Sequence, residues 1–448
     1  MSDAQSQSTL EAKLKALQCH FTWDIDTRRA ELFRLRDKLE DIGTDDGKSW
    51  LGHIYNLQGY IHYQLGLNEN SSVKRRFTEE AQRFFNKATE AFHGARKVSD
   101  EGPWLVVNYG NLAWVHHHLG EKAESQTYLS KVDTLLKEYP SPSKDKLHPE
   151  IYAEKAWTLM KFGKDKTVMA ADYFQRAIRM QPDMVEWHTS YVIALVNPYK
   201  YSAESVEGDI MEKMRMAKEH DAENFYLAVL ELEQRARKGE RIEDEARELA
   251  RKVLENPVSS YSGIKVLLWI YSKHISLDRA IDLAEEALAK HPDERYLKWC
   301  AALCYEWRIL SQNPVEQSKI DRAVSLHKEV ISLYPNPSSS LVKKIALANI
   351  YAKSNHGLPQ AEKTYQELLT TNLEPAEKQL LYHCYAKYLK FNRKDNNKAI
   401  EYHMKAAAIP QLPYFREKSI EALKTFLSRN PGSPLCREIE KFLSNLKV

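Results

Sequence analysis

The sequence predicts an all-α fold, a superhelical solenoid of about nine divergent helix pairs. A stripe of apolar residues, spaced by four and then three positions, recurs along the 448 residues, and several stripes are followed by a proline. Residues spaced in this way lie on one side of a helix, and proline ends a helix. Most stripes are separated by roughly 34 to 47 residues, the length of helix-pair repeats, and strand-like alternation is almost absent.

The clearest stripe is Ala170, Phe174 and Ala177, followed by Pro182. Eight others share its spacing, and they are Ala81/Phe85/Ala88, Ser125/Leu129/Val132, Ile210/Met214/Ala217, Ala246/Ala250/Val253, Ala280/Ala284/Ala287, Ala323/His327/Val330, Ala361/Tyr365/Leu368 and Ala399/His403/Ala406. Pro257, Pro292 and Pro335 follow three of them as Pro182 follows the first. This pattern resembles a divergent form of the tetratricopeptide repeat, in which each helix pair packs on its neighbours.

The remaining elements fit this array. Leu10, Leu14 and Leu17 follow helical spacing before the first repeat, and a loop is expected at 43–47. The apolar segment from Trp50 to Gly66 then predicts the first helix that pairs with a stripe.

Two proline-rich joints divide the chain, at Tyr139–Pro149 and Tyr334–Ser340. Proline clusters between periodic segments are typical of connections. We therefore predict an N-terminal repeat subdomain at 1–148, a central one at 149–335 and a C-terminal one at 336–448.

Composition is that of a soluble globular protein, with 43% hydrophobic and 28% charged residues. The 65 basic and 62 acidic residues nearly balance, so any site for nucleic acid must be a local, enclosed basic patch. The polar N-terminus does not resemble a signal peptide, and no stretch is apolar enough to cross a bilayer. We expect a cytosolic protein that does not bind membranes and has reduced thiols.

Motifs of catalysis and metal binding are not found. The five cysteines are scattered, and Cys300 and Cys304 are expected to be buried helix positions. Adjacent helical residues point about 100° apart, so His116, His117 and His118 cannot converge on one metal ion and are expected at the surface or in a groove. Neither a phosphate loop nor a G-x-S-x-G turn occurs. The sequence therefore predicts no enzyme, no metal site and no cofactor.

Trp157 and Lys161 are four residues apart and share one helix face. An aromatic plane beside a cation suits a nucleotide. The residues alone leave open the alternative that neither side chain binds a ligand, since a tryptophan in a repeat helix commonly packs in the core and a lone lysine is commonly solvated.

Three motifs make a resemblance specific: CHFTW at Cys19, VNYGNLAW at Val107 and EKAWTLMKFG at Glu154. Their order and distances resemble the interferon-induced proteins with tetratricopeptide repeats, and the chain is most similar to members found in fish. The resemblance implies a superhelix around a basic tunnel that holds the 5′ end of single-stranded RNA. It also implies a cytosolic role in antiviral innate immunity, in which non-self RNA is kept from translation.

The resemblance assigns roles to individual residues. Lys161 matches the family's phosphate-binding lysine, and Trp157 matches the tryptophan beneath a cap guanine. The further expected RNA contacts are Ile193 as an apolar wall, Lys265 in place of an arginine, Asn224 with Tyr226 against the RNA backbone or bases, and Lys38 as a basic residue near the N-terminal part of the tunnel.

Several positions depart from the family pattern. Asn197 replaces an arginine that binds phosphate, Thr167 replaces a tyrosine, Ile42 replaces a polar residue, Trp299 and Cys300 replace a His-Gln pair, and the chain ends before a last helix pair. A hydrogen bond to a charged group contributes about 1.5 to 3 kcal/mol, so one lost anchor costs roughly ten- to hundredfold in affinity. Lys200 and Lys164 are candidate substitutes, and the choice between triphosphate and cap stays open.

Two functions follow from the sequence. The first is binding of single-stranded RNA with a modified 5′ end, and the second is a protein-interaction scaffold in interferon or antiviral signalling. Expected partners are RNA, related family members or a second copy of the chain, and signalling proteins.

Overall fold

The fold is all-α, as predicted. A computed structural model describes residues 2–25, 27–43, 50–96, 100–142, 147–199, 206–311 and 315–446. Within these ranges it contains 22 α-helices and no β-strand. The helices are α1 (Ser2–Lys15), α2 (Arg29–Glu40), α3 (Leu51–Gly66), α4 (Ser71–Arg96), α5 (Val106–Leu119), α6 (Lys122–Glu138), α7 (Pro149–Leu159), α8 (Lys164–Met180), α9 (Val185–Val196), α10 (Gly208–His220), α11 (Phe225–Arg237), α12 (Glu243–Leu254), α13 (Ile264–Ile270), α14 (Leu277–Lys290), α15 (Arg295–Ser311), α16 (Gln317–Leu333), α17 (Pro337–Tyr351), α18 (Leu358–Thr370), α19 (Pro375–Tyr388), α20 (Asn396–Ala408), α21 (Pro413–Arg429) and α22 (Leu435–Asn445).

The predicted stripes are the buried faces of alternate helices. All nine lie on the even-numbered helices from α4 to α20, and each of their residues is buried. Helix α8 ends two residues before Pro182, and α12 ends three residues before Pro257. The helices from α3 to α20 therefore form nine successive pairs in sequence order, which confirms the predicted repeat number.

A glycine allows the first pair to pack closely. A Cβ atom on Gly59 of α3 would lie 2.6 Å from Cε1 of Phe85, the central residue of the α4 stripe. Only glycine lets the aromatic ring reach the backbone of the facing helix. In this first pair, the large residue of the stripe thus packs against a glycine on the facing helix.

The chain divides into two compact units, Met1–Ile275 and Ser276–Val448. The first unit holds one continuous apolar core that extends from Leu10 to Ala194. The second has its own core around Tyr365. The three predicted subdomains, with borders after residues 148 and 335, stay a prediction.

Other expectations on single residues have mixed outcomes. Cys300 and Cys304 are buried on α15, as predicted. His118 is exposed, whereas His116 is buried and its Nδ1 lies 2.6 Å from Oε2 of Glu121. Of the two expected positions, the surface does not apply to His116, and the groove stays a prediction. Among the described residues no group of three potential ligands could hold a metal ion. In the same part of the chain, no helix has the length and apolar character needed to span a bilayer.

Candidate functional site

The three motifs that carry the family resemblance meet in one buried polar network. His20 of CHFTW is fully buried, and its backbone N–H donates to Oδ1 of Asn111 at 3.1 Å. Its ring Nδ1 lies 3.1 Å from Nδ2 of Asn111, and its Nε2 lies 3.1 Å from Oγ1 of Thr158. Burial lowers the pKa of His20 to about 3, so the ring is neutral. These bonds fix α7 against α5 and the N-terminal segment.

A second hydrogen-bond network links α7 to α3 and, through α3, to α5. Asn56 of α3 donates through Nδ2 to Oε1 of Glu154 at 2.7 Å, and Asn108 of α5 donates to Oδ1 of Asn56 at 2.8 Å. Burial raises the pKa of Glu154 to about 8, although the bond from Asn56 opposes the shift. Glu154 lies three residues before Trp157, so both networks set the rotation of the helix that carries the candidate site.

Trp157 is 1% exposed and belongs to the apolar core. The indole of Trp50 is stacked against it, with ring centroids 5.8 Å apart and planes 20° apart. The ammonium nitrogen of Lys161 lies 4.0 Å from the centroid of the Trp157 ring. A nucleobase could stack on Trp157 only after Lys161 or Trp50 had moved.

Lys161 follows the end of α7 and is half-buried. Its Nζ donates to the phenol oxygen of Tyr261 and lies 4.9 Å from the centroid of that ring. Burial, followed by the nearby positive charge of Lys38, holds the pKa of Lys161 well below its usual value of 10.5. Among the described residues, no carboxylate is within ion-pair distance of Nζ. This ammonium group therefore has aromatic and phenolic neighbours and a like charge nearby, but no counter-ion in the described chain.

Tyr261 lies in the connection between α12 and α13, which joins distant parts of the first unit. The backbone N–H of Ser260 donates to the carbonyl of Asp41, just after α2, at 2.9 Å. Gly263 adopts φ +84°, where a Cβ would be strained and would lie 3.3 Å from Cα of Tyr226. The rings of Tyr226 and Tyr261 are 6.0 Å apart. This loop links the region of Lys38, the end of α7 and the start of α11.

Asn224 has an internal structural role. It is the N-cap of α11, where its Oδ1 accepts a hydrogen bond from the backbone N–H of Leu227 at 3.0 Å. Its Nδ2 donates to Oδ2 of Asp221 at 3.1 Å. Two residues later, Tyr226 is half-buried beside Tyr261. Asn224 therefore fixes the start of the helix that carries Tyr226.

The other expected contacts come from three different helices. Ile193 on α9 is half-buried and packs against the same core as Tyr261. Lys265 on α13 is half-buried, four residues after Tyr261. Lys38 on α2 is exposed, and its charge acts on Lys161. Lys161 and Tyr226 therefore both contact Tyr261, a residue that sequence reasoning missed. Trp157 contacts Lys161 from the other side, and Lys38 acts on Lys161 through its charge.

The positions that depart from the family pattern do not all face the candidate site. Thr167 is buried, and its hydroxyl donates to the backbone carbonyl four residues earlier at 3.3 Å. Ile42 is buried in the core, and Asn197 is half-buried at the end of α9. Lys200 and the side chain of Lys164 lie outside the described residues.

Paired helices with buried small-large stripes define a tetratricopeptide-repeat α-solenoid. No protein-family model matches the chain. The human antiviral innate immune response effector IFIT1 is 26% identical over 447 residues, which cover 96% of this chain and 90% of that protein. The Macaca fascicularis protein of the same name is 28% identical over 95% of this chain and 88% of its own length. Over nearly its whole length the chain is thus similar to the interferon-induced proteins with tetratricopeptide repeats.

Solved structures agree with the fold. The human IFIT1 dimer with m7Gppp-AAAA matches with a TM-score of 0.68 at 24% identity, over 98% of this chain and 96% of that chain. The human IFIT1 dimer with PPP-AAAA has the same coverage and identity and a TM-score of 0.66. At this identity the likeness shows a shared fold.

Proposed function

We propose that this chain is a non-enzymatic, cytosolic antiviral protein that binds the 5′-triphosphate end of single-stranded RNA at Lys161 and so restricts translation of viral RNA. Human IFIT1 is an antiviral innate immune response effector and has been solved with PPP-AAAA and with m7Gppp-AAAA. These relatives support the class of ligand. The local chemistry around Lys161 supports a triphosphate as the form of the 5′ end.

The observation that carries the proposal is the half-buried ammonium group of Lys161, which has no carboxylate partner in the described chain. Burial and the like charge of Lys38 both lower its pKa. An anion placed beside it would supply the missing counter-charge and raise that pKa. Charge-assisted bonds to phosphate are strong, and they strengthen further in a poorly solvated site.

The covered indole favours a triphosphate over a cap. A cap guanine needs an open aromatic face, whereas Trp157 has the Lys161 ammonium over its ring and Trp50 stacked against it. A triphosphate needs only the cation. We therefore assign Trp157 a positioning role: it holds the ammonium through a cation–π contact.

The remaining expected contacts are proposed to guide the nucleotides that follow the triphosphate. Tyr226 offers a half-buried ring on which a base can stack, and such stacking contributes about 1 to 3 kcal/mol per base. Asn224 acts through the position of Tyr226. Ile193 supplies apolar contact, and Lys38 and Lys265 supply positive charge for the backbone.

The direct test is a titration of one labelled RNA sequence that carries a 5′-triphosphate, a cap or a 5′-hydroxyl. We expect the triphosphate strand to bind most tightly, with an affinity that falls as salt rises. The Lys161→Ala variant should lose roughly ten- to hundredfold in affinity for that strand, the value of one hydrogen bond to a charged group. Lys87→Ala is the matched control, because Lys87 also lies over an aromatic ring, 5.3 Å from the centroid of Phe84. Equal binding of the triphosphate and hydroxyl strands would refute the proposal.

A second function, a protein-interaction scaffold in antiviral signalling, is favoured by the internal use of two expected RNA contacts. Trp157 is in the core, and Asn224 caps a helix. If this function is correct, partner proteins should be retained after nuclease treatment and the Lys161→Ala variant should retain them equally. Self-association, as in the human IFIT1 dimer, is compatible with both functions and can be measured by sedimentation.

A further inference from the structure

Lys155 is a half-buried cation on the opposite side of α7 from Trp157. The two side chains are two positions apart in a helix, so they point about 160° apart around its axis. Nζ of Lys155 lies 5.0 Å from the centroid of the Tyr173 ring and 5.9 Å from that of Trp23. Within the described ranges it makes neither an ion pair nor a hydrogen bond. Its charge is therefore uncompensated, although it is partly removed from water.

The indole of Trp23 is a second unsatisfied donor at the same place. Trp23 is 4% exposed, and its Nε1–H, which can only donate, has no acceptor in the part of the chain that the structure describes. The ring is fixed from its other neighbour, because it lies 4.8 Å from the ring of His20, which is held in the buried polar network. Buried polar groups are nearly always hydrogen-bonded, so this orphan donor indicates an acceptor from outside these residues.

The charges beside the two rings are already paired. Asp24, next to Trp23 in the sequence, accepts from Nζ of Lys166 through its backbone carbonyl at 2.8 Å and through its carboxylate at 3.2 Å. Beside the other ring, Asp172 is paired with Arg176 at 2.8 Å. Lys155 thus leaves one net positive charge between two exposed acids. These acids repel a polyanion such as an RNA backbone, whereas a single carboxylate matches the single cation.

We propose that Lys155 and Trp23 form a binding site for an acidic side chain of a partner protein, in which the ammonium group and the indole N–H both donate to the carboxylate. A carboxylate offers two acceptor oxygens, and hydrogen bonds of about 2.9 Å to each oxygen let it bridge two neighbouring donors. The half-buried ring of Tyr173 provides apolar contact for the residues around that acid. The site goes beyond the RNA-end function, and it gives the scaffold function a contact of defined chemistry.

The test follows the indole N–H signal of Trp23 by NMR, in protein whose nine tryptophans carry ¹⁵N, with Trp23→Phe to assign the signal. The probe is the blocked tripeptide N-acetyl-Leu-Glu-Leu-amide, and its glutamine counterpart is the control ligand. We expect a saturable downfield shift with the glutamate peptide up to about 10 mM, because so few contacts give an affinity in the millimolar range. Lys155→Gln should weaken this binding by roughly tenfold or more, the effect of one hydrogen bond to a charged group.

Lys131→Gln is the matched control variant. Lys131 also lies over two rings, 4.9 Å from the centroid of Tyr109 and 6.0 Å from that of Tyr128. Unlike Lys155, it is already paired with a carboxylate, since its Nζ lies 2.6 Å from Oε1 of Glu101. This control should bind the glutamate peptide as the unmodified protein does. A folding defect in Lys155→Gln would move all the indole signals, and Lys155→Arg, which keeps the charge, should then retain peptide binding.

The remaining outcomes overturn the proposal. An equal shift with the glutamine peptide would show that the carboxylate is not recognised, and no saturable shift with either peptide would show that no site exists. A shift of the Trp23 signal with a 5′-hydroxyl RNA strand, but not with the peptide, would make the ligand a phosphodiester and the partner class wrong. Lys155→Gln should bind the triphosphate strand as the unmodified protein does, so failure of the RNA-end function is seen in the strand titration alone.

Discussion

Glu154 should make the first unit less stable as the pH rises, and replacement by glutamine should remove that effect. In the folded protein its pKa is about 8, whereas its ordinary value is 4.5. Between these two values the folded state retains a proton that the unfolded state releases, so stability present below pH 4.5 is lost progressively up to about pH 8. Each pH unit above 4.5 costs about 1.36 kcal/mol, which gives about 3 kcal/mol at pH 7.

The Glu154→Gln variant preserves an oxygen that can accept the bond from Asn56. The measurement is the free energy of unfolding of both proteins by urea, followed by tryptophan fluorescence from about pH 4.5 to 8. The free energy of unfolding of the variant should increase relative to that of the unmodified protein as pH rises, by about 3 kcal/mol between pH 4.5 and 7. Other titrating groups are common to both proteins and cancel in the difference.

Glu101→Gln provides a control of opposite sign. Burial raises the pKa of Glu101, but hydrogen bonds from Lys131 and Tyr109 outweigh it and leave the pKa below its usual value. This carboxylate stabilises the folded protein above its unfolded pKa, and that stabilisation is lost as pH falls. The Glu101→Gln variant lacks it, so its free energy of unfolding should decrease relative to that of the unmodified protein as pH rises. A difference between Glu154→Gln and the unmodified protein that does not change with pH would refute the reasoning.

Two further predictions concern the site and the packing. A phosphate bound beside Lys161 would raise its lowered pKa. Affinity for the triphosphate strand should therefore fall as pH rises above the lowered pKa of the free protein, by at most about tenfold per pH unit. The Lys161→Arg variant should show no such fall, because arginine stays charged. Anisotropy titrations at constant ionic strength would measure both affinities, and equal slopes for the two proteins would contradict the prediction. Gly59→Ala should lower the free energy of unfolding by about 1 to 3 kcal/mol, because its Cβ would lie 2.6 Å from Phe85, whereas Gly94→Ala, where no atom lies within 4 Å, should not be destabilising in thermal unfolding.

The fold could be predicted because the same pattern of buried residues recurs in each helix pair along the sequence. In each stripe, such as Ala170, Phe174 and Ala177, the spacing of the residues alone indicates which side of the helix faces the core. The adjacency of Trp157 and Lys161 could be predicted for the same reason, since residues four apart share a helix face. Their role in RNA binding stays a prediction.

The rest of the site could not be predicted because it depends on contacts between distant segments. Tyr261 meets Lys161 across 100 positions of the sequence, in a loop where Ser260 is bonded to Asp41, and no periodicity in the sequence encodes these pairings. Asn224 is different, because an asparagine immediately before a helix is a common N-cap, and that rule could have revealed its structural role. The polar network around His20 gave no local signal, since the motif CHFTW shows neither of its partners.

Several partly buried lysines of the described chain form ion pairs, which Lys161 does not. Lys218 is paired with Glu231, Lys298 with Glu329, and Lys319 with Asp278. Such pairing is the usual way to offset the cost of removing a cation from water. Lys161 instead lies over the rings of Trp157 and Tyr261, and burial together with the positive charge of Lys38 disfavours its charged form. A cation that is held in place at a cost to stability, and that a phosphate would relieve, is the arrangement expected where binding rather than folding determined the residue.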